Sequence, residues 1–114
     1  MDIEILRGIC TGHPHVTEDI KWGNDLCFLI GNKMFCVTSL QTPATASFKV
    51  TDEEFDQMSS RPGFQPAPYM ARHHWVLVTD LDALSLAEWR HYIRQSYTMV
   101  RAKLSKKILK ELGE

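Results

Sequence analysis

The first apolar positions of the chain follow helical spacing. Ile3, Leu6 and Cys10 recur at intervals of three or four residues, so they share one side of a helix. Asp2 stands immediately before them and is a good N-terminal cap, whereas Gly12 is typical of the point where a helix stops. The pattern therefore predicts an amphipathic helix between Asp2 and Gly12.

Four β-prone segments come next, separated by turn-forming residues. They are residues 16–22, 26–30, 33–40 and an alternating stretch around Ala46, Phe48 and Val50. Gly31-Asn32 joins the second segment to the third, and both residue types tolerate the positive φ angles of the tightest hairpin turns. Because the four segments follow one another closely, we expect an antiparallel meander.

The second half of the chain begins with a short helix and an extended stretch. Thr51 and Glu54 have the spacing of a capping box, and Phe55 with Met58 gives the helix its apolar side. Arg61-Pro62-Gly63 ends this helix. The proline-rich residues 64–68 predict an extended loop rather than a strand, and this loop leads into a fifth strand at residues 74–79.

A long amphipathic helix is predicted over residues 86–103. Ser85 and Glu88 form a second capping box, after which apolar residues recur every three or four positions, namely Trp89, Ile93, Tyr97, Val100 and Leu104. Ser105 caps a final short helix. Together the elements predict one α+β domain spanning residues 1–114, with an antiparallel sheet of about five strands and helices packed on one face.

Composition agrees with one small domain, and charge adds an asymmetry. The chain has 114 residues with 44% hydrophobic content, and its apolar runs are far shorter than the roughly 20 residues of a membrane span. The acidic start of the chain is unlike a signal peptide, so we expect a cytoplasmic protein without membrane contact. Residues 90–114 hold 7 Lys and Arg against 2 Asp and Glu, whereas residues 1–89 hold 6 against 12.

Several short strings occur in one order along nearly the whole chain. They are Lys21-Trp22-Gly23, Gly31-Asn32-Lys33-Met34-Phe35, Pro66-Ala67-Pro68-Tyr69-Met70, His74-Trp75, Ser96-Tyr97 and Lys103-Leu104-Ser105-Lys106-Lys107. In this order they resemble the MmcQ/YjbR family. The resemblance implies a CyaY-like α+β fold and DNA binding through a double-wing motif. The chain departs from the family at Ser105, where members carry proline, but serine also starts a helix.

The basic C-terminal segment is the main functional signal. Its cations are Arg90, Arg94, Arg101, Lys103, Lys106, Lys107 and Lys110. If they share a surface, they can neutralise several phosphates of DNA, the sequence-independent part of nucleic-acid binding. Asn32 and Lys33 at the hairpin tip would then act as a wing. The alternative is that these are solvated cations that complement the C-terminal end of the helix dipole.

A second hypothesis places a cleft between the Pro66–Tyr69 loop and the long helix. Tyr69, Trp75 and Tyr97 would line it, and Arg72 or Arg94 would hold an anion there. Such a cleft would make the chain a small-molecule or protein-interaction module rather than a DNA-binding protein. Any protein partner and the oligomeric state stay open at this stage.

Catalysis and metal binding have weaker sequence support. The histidines fit none of the paired spacings of structural zinc, and Cys10, Cys27 and Cys36 read as buried thiols. The sequence contains no glycine-rich phosphate loop and no nucleophile elbow. Iron binding by the acidic clusters Glu18-Asp19 and Asp52–Asp56 is supported only by analogy between the implied fold and that of frataxins. We therefore expect a non-enzymatic protein that needs neither a cofactor nor a metal.

Overall fold

Six strands form one antiparallel sheet in the computed structural model, which describes residues 1–114. The strands are β1 (Thr17–Lys21), β2 (Asp25–Ile30), β3 (Lys33–Ser39), β4 (Ala46–Lys49), β5 (Phe64–Pro66) and β6 (Trp75–Val78). Their order across the sheet is β1-β2-β3-β4-β6-β5, so the predicted four-strand meander is confirmed. The α+β class predicted from the sequence is confirmed as well.

The stretch predicted as an extended loop contains a short strand, β5. Phe64 lies opposite Val78, and Gln65 lies opposite Leu77, so β5 extends the sheet by a short outer strand. Proline is tolerated at such an edge because the outward-facing backbone has no further strand to bond. The sheet therefore has six strands where about five were predicted, and β5 is the one that was missed.

Four helices accompany the sheet, and they begin where their caps predict. They are α1 (Ile3–Thr11), α2 (Asp52–Met58), α3 (Leu86–Arg101) and α4 (Lys106–Glu111). The Thr51 and Ser85 side chains both complete their capping boxes, and the Ser105 hydroxyl accepts a hydrogen bond from the backbone N–H of Ile108. None of the helices combines the length and the hydropathy that crossing a bilayer would require.

One face of the sheet is covered by the helices and carries the core. Trp89 of α3 is fully buried, and its indole N–H donates to the backbone oxygen of Leu81 at 2.9 Å. Ser96 connects α3 to two strands, because its hydroxyl donates to the Phe35 carbonyl at 2.6 Å and accepts from the Lys49 N–H at 3.0 Å. Buried polar atoms with such partners fix the position of the helix across the sheet.

The opposite face has no helix on it. Side chains alternate along a strand, so the residues between the core positions of β3, β4 and β6 point to this face. Among them are Val37 and Ser47, which alternate with the buried Thr38 and Phe48. We call this side of the sheet the open face. The loops that follow β1 and β5 contribute residues to the lining of a cavity on this face, which is described below.

Candidate functional site

The β2–β3 hairpin tip is packed against the turn between α3 and α4. Gly31 and Asn32 both have positive φ angles, 56° and 67°, as the sequence predicted for a tight two-residue turn. A Cβ atom on Gly31 would lie 2.8 Å from side-chain carbons of both Leu104 and Ile108, so only glycine allows this close approach. Asn32 and Lys33 remain exposed beside the start of the basic α4 helix.

Basic side chains from four separate parts of the chain line two adjoining depressions at this end of the sheet, and both depressions are lined by Lys49, His73 and Lys103. Lys33 of the hairpin lines one of them, and Arg72 of the loop before β6 lines the other. We call the two depressions together the cationic hollow. Lys33 and Lys103 were predicted as DNA-binding residues and Arg72 as part of a different cleft, whereas no pattern in the sequence indicated Lys49.

The lysines of the cationic hollow lack acidic partners. No carboxylate lies within 4.0 Å of Lys33, Lys49 or Lys103, since all ion pairs in the structure involve other groups. The Lys49 ammonium donates to the His73 backbone oxygen at 2.6 Å. Partial burial, and next the positive charge of Lys103, lower the pKa of Lys49 below its ordinary value. An anion bound between these two lysines would relieve their repulsion.

One wall of the cationic hollow is acidic. Asp52 and Glu53 from the first turn of α2 line it, and the Asp52 carboxylate contacts Nδ1 of His74 at 2.7 Å. A phosphate would be repelled by this wall. The favourable position for an anion is therefore the opposite side, where Lys33 and Lys103 border the depression close to the hairpin tip.

The seven cations predicted in the C-terminal segment lie on three parts of the chain. At about 100° per residue, Arg90, Arg94 and Arg101 fall on one flank of α3, whereas Lys103 lies beyond the end of that helix, in the turn before α4. Arg94 lies close enough to His13 to help lower the pKa of that imidazole, after the larger effect of burial. Arg101 is paired with Glu114 through contacts of 2.7 and 3.2 Å. Lys106, Lys107 and Lys110 are exposed on α4 and form no ion pairs.

The open face contains a pocket of about 500 Å³. Its apolar wall is mostly aromatic and sulfur-containing, with Trp22, Met34, Tyr69, Met70, Trp75 and Leu77. Trp22 is 71% exposed and Tyr69 is 98% exposed. Both residues also hold the left-handed backbone conformation, with φ angles of 53° and 65°, which is unfavourable for bulky side chains. We call this cavity the open-face pocket.

Three residues predicted to share a cleft with Tyr69 do not line it, namely Tyr97, Arg72 and Arg94. Tyr97 is buried under the helices on the opposite face, where its ring stacks on His13 at 4.7 Å and its hydroxyl donates to the Pro14 oxygen at 2.7 Å. Arg72 lines the cationic hollow instead. The cleft therefore lies between the Pro66–Tyr69 loop and the sheet, and the prediction that the long helix forms its second wall is wrong.

The open-face pocket adjoins the cationic hollow. Met34, Met70 and Trp75 line the pocket on one side, and they also line the part of the hollow that contains Lys33, Lys49 and Lys103. The two depressions therefore share a wall at the end of the sheet. One ligand with both a flat apolar part and an anionic part can reach the two of them.

None of the three cysteines lines the open-face pocket or the cationic hollow. Cys10, Cys27 and Cys36 are all buried and unpaired. Burial raises the pKa of the Cys10 thiol and raises that of Cys27 to about 11, so both stay protonated at neutral pH and are poor nucleophiles. The structure contains no group of three or more His, Cys, Asp and Glu side chains positioned to hold a metal ion.

Comparison with known proteins gives a family and two related folds. The YjbR family model matches residues 11–99. A crystal structure of a Deinococcus radiodurans protein with a DUF419 domain superposes with a TM-score of 0.84 at 28% identity, covering 97% of this chain and 87% of the other. A Pseudomonas syringae protein superposes with a TM-score of 0.70 at 18% identity, covering 87% and 98%, and it shows the fold alone. No curated protein matches the sequence.

Proposed function

Because the chain belongs to the YjbR family, for which the sequence resemblance implies DNA binding, we propose that it is a non-enzymatic protein that binds DNA through backbone phosphates. The contact surface would consist of the hairpin tip, the cationic hollow and the exposed lysines of α4. We expect it to act in the cytoplasm without a cofactor.

The observation that carries this proposal is the packing of the hairpin tip on the α3–α4 turn. The contact of Gly31 with Leu104 and Ile108 brings Lys33 of the acidic body next to the basic C-terminal segment. Lys33, Lys103, Lys106 and Lys107 are all exposed and free of ion pairs. Such lysines can exchange their counterions for phosphates at little cost in broken contacts.

The proposed binding is weak and insensitive to sequence. The body outside the C-terminal segment carries 12 Asp and Glu against 6 Lys and Arg, and this charge opposes the approach of DNA. Phosphate contacts alone give dissociation constants of about 10⁻⁴ to 10⁻⁶ M at physiological salt. The sequence has no recognition-helix or zinc-finger pattern that would support direct readout of base edges.

Charge reversal on α4 tests the proposal. Lys106→Glu/Lys107→Glu should abolish detectable binding to duplex DNA at about 0.05 M salt, and the unchanged chain should show a log–log salt slope of about −0.9 per phosphate contact. Arg90→Glu/Arg94→Glu is the matched control, because it makes the same change in net charge on α3. Charges are screened beyond about 10 Å at about 0.1 M salt and beyond about 14 Å at about 0.05 M salt, so the control should lose much less affinity than the α4 variant.

Two results would contradict DNA binding through this surface. One is the absence of any association between the unchanged chain and duplex DNA at low salt. The other is an equal loss of affinity in the α4 variant and in the control variant, since that would reflect net charge and not a local surface. Circular dichroism of both variants checks that neither substitution unfolds the chain.

The open-face pocket favours a second candidate function, a small-molecule or protein-interaction module. Its support is the exposure of Trp22 and Tyr69 around an apolar cavity, because soluble chains rarely expose large aromatic side chains next to one another without a ligand. The α4 charge reversal separates the two candidates. A ligand of the pocket that is uncharged should bind equally well to the Lys106→Glu/Lys107→Glu variant.

A further inference from the structure

We propose that the open-face pocket and the cationic hollow form one binding site for single-stranded DNA, in which unpaired bases stack in the pocket and the phosphates contact the lysines. The proposal rests on the proposed function and deepens it, because it names the form of nucleic acid that the chain prefers. It also gives a role to the aromatic residues that phosphate binding leaves unexplained.

Trp22 and Tyr69 are the two most exposed aromatic residues of the chain. Trp22 and Tyr69 line the same cavity from the loops after β1 and β5, although these strands lie at the two edges of the sheet. Each holds a bulky side chain on a left-handed backbone. Such conformations persist where the surrounding structure enforces them, and they occur most often at binding sites. Bases stack on exposed aromatic rings of this kind whatever their sequence.

The surface formed by the pocket and the lysines is continuous, and its apolar and positive parts match the two parts of a nucleotide. The open-face pocket and the depression lined by Lys33, Lys49 and Lys103 meet directly, because both are lined by Met34, Met70 and Trp75. A nucleotide has the same two parts, a flat base and an anionic phosphate. The pocket is therefore suited to the base, and the unpaired lysines beside it are suited to the phosphate.

Polar groups of the pocket set the direction of the strand. Asp25 lines the pocket together with Ser39 and Ser47, so its wall offers a carboxylate and two hydroxyl groups. The carboxylate repels phosphate and accepts hydrogen bonds from N–H groups on the base edges, which thymine also carries at N3. The phosphates should therefore run on the lysine side, with the base edges pointing towards Asp25.

This arrangement requires unpaired bases. In a duplex the faces of the bases are stacked on their neighbours and cannot reach Trp22 or Tyr69 unless a nucleotide is flipped out. A duplex would contact only the lysines and would bind more weakly. Single-stranded DNA of the same length should therefore bind more tightly than duplex DNA, although its charge density is lower.

Fluorescence anisotropy with labelled oligonucleotides tests the proposal. The probes are a short poly-dT strand, an abasic strand of equal length and a duplex. Trp22→Ala and Tyr69→Ala should each lower the affinity for poly-dT about tenfold and leave the abasic strand and the duplex unaffected. Ile20→Ala is the matched control, because Ile20 is also a large exposed side chain on the edge strand β1. It lies opposite Leu26, one position away from the pocket residue Asp25, so its side chain points away from the open face.

The outcomes separate this inference from the proposed function. In one outcome the aromatic variants bind poly-dT as well as the unchanged chain does, and Lys33→Glu/Lys103→Glu binds none of the three probes. This outcome would overturn base stacking and leave phosphate binding in place. If the unchanged chain binds none of the probes, both proposals are overturned. If it prefers poly-dT over the abasic strand, and only the aromatic variants lose this preference, the inference is supported.

Discussion

The two faces of the sheet carry the same aromatic residue types in opposite states. On the helix-covered face Trp89 and Tyr97 are buried, and each polar atom has a backbone partner, the oxygens of Leu81 and Pro14. On the open face Trp22 and Tyr69 extend into solvent. Burial of an aromatic side chain is among the largest stabilising contributions available to a small domain. Trp22 and Tyr69 contribute little stability in this way, because both are exposed.

The backbone differs between the two faces in the same way. Trp89 and Tyr97 belong to the regular helix α3, which starts at a complete capping box. Trp22 and Tyr69 have positive φ angles, as have Asn32 at the hairpin tip and His74 beside the cationic hollow. The fifth non-glycine residue with a positive φ angle, His15, lines neither depression, so four of the five such residues lie in or beside the candidate site. This difference indicates which residues maintain the fold and which are available for a ligand.

The largest effect is expected on the helix-covered face. Trp89→Ala removes a fully buried ring that packs edge-on against Phe48 with ring centroids 5.7 Å apart, and it leaves the Leu81 oxygen without its donor. Substitutions of this kind cost about 3–5 kcal/mol, a large part of the stability of a small domain. Urea denaturation should show this loss. A cost below about 1 kcal/mol would mean that the core is not organised around Trp89.

An intermediate effect is expected where the core meets the candidate site. Gly31→Ala places a methyl group 2.8 Å from side chains of Leu104 and Ile108 and adds strain at a φ of 56°. We expect a loss of about 1–3 kcal/mol together with weaker DNA binding, because the hairpin tip must move away from α4.

Gly23→Ala is the control for this prediction. Gly23 has a φ of 85°, but an added Cβ would have no neighbour within 4 Å, so only the backbone strain remains. Its cost should be about 1 kcal/mol, without an effect on the binding of duplex DNA, whose stacked bases do not reach the pocket at Trp22. Equal losses of stability and of binding in the two variants would show that the packing of Gly31 on α4 has no role in either.

Local signals were sufficient to predict most of the fold from the sequence. The capping boxes at Thr51 and Ser85 and the Gly31-Asn32 turn each depend on residues that are neighbours in the chain, and all of them are confirmed. The β5 strand was missed because it has only three residues and is defined by its pairing with β6. Its own sequence carries a proline, which favours a loop when considered alone.

The candidate site was less predictable, because its grouping depends on tertiary contacts. Lys103 was recognised as part of a basic segment, but its position beside Lys49 depends on how α3 crosses the sheet. Arg101 was recognised as a cation, yet its pairing with Glu114 depends on the course of the chain after α4. For Tyr97 the local signal was correct, since its position in the apolar periodicity of α3 indicated burial, and assigning it to the cleft disregarded that periodicity.

The smallest effect on stability is expected on the open face. There the sign of the difference in stability between two variants of Trp22 tests the contrast between the two faces. Trp22→Ala should change the free energy of unfolding by less than about 0.5 kcal/mol, because the side chain is 71% exposed. Trp22→Gly should be more stable than Trp22→Ala by about 0.5–1 kcal/mol, since glycine adopts a φ of 53° without strain. Urea denaturation of the two variants measures this difference. If the glycine variant is instead the less stable one, the backbone at Trp22 is unstrained, and its left-handed conformation ceases to be an argument for a binding site there.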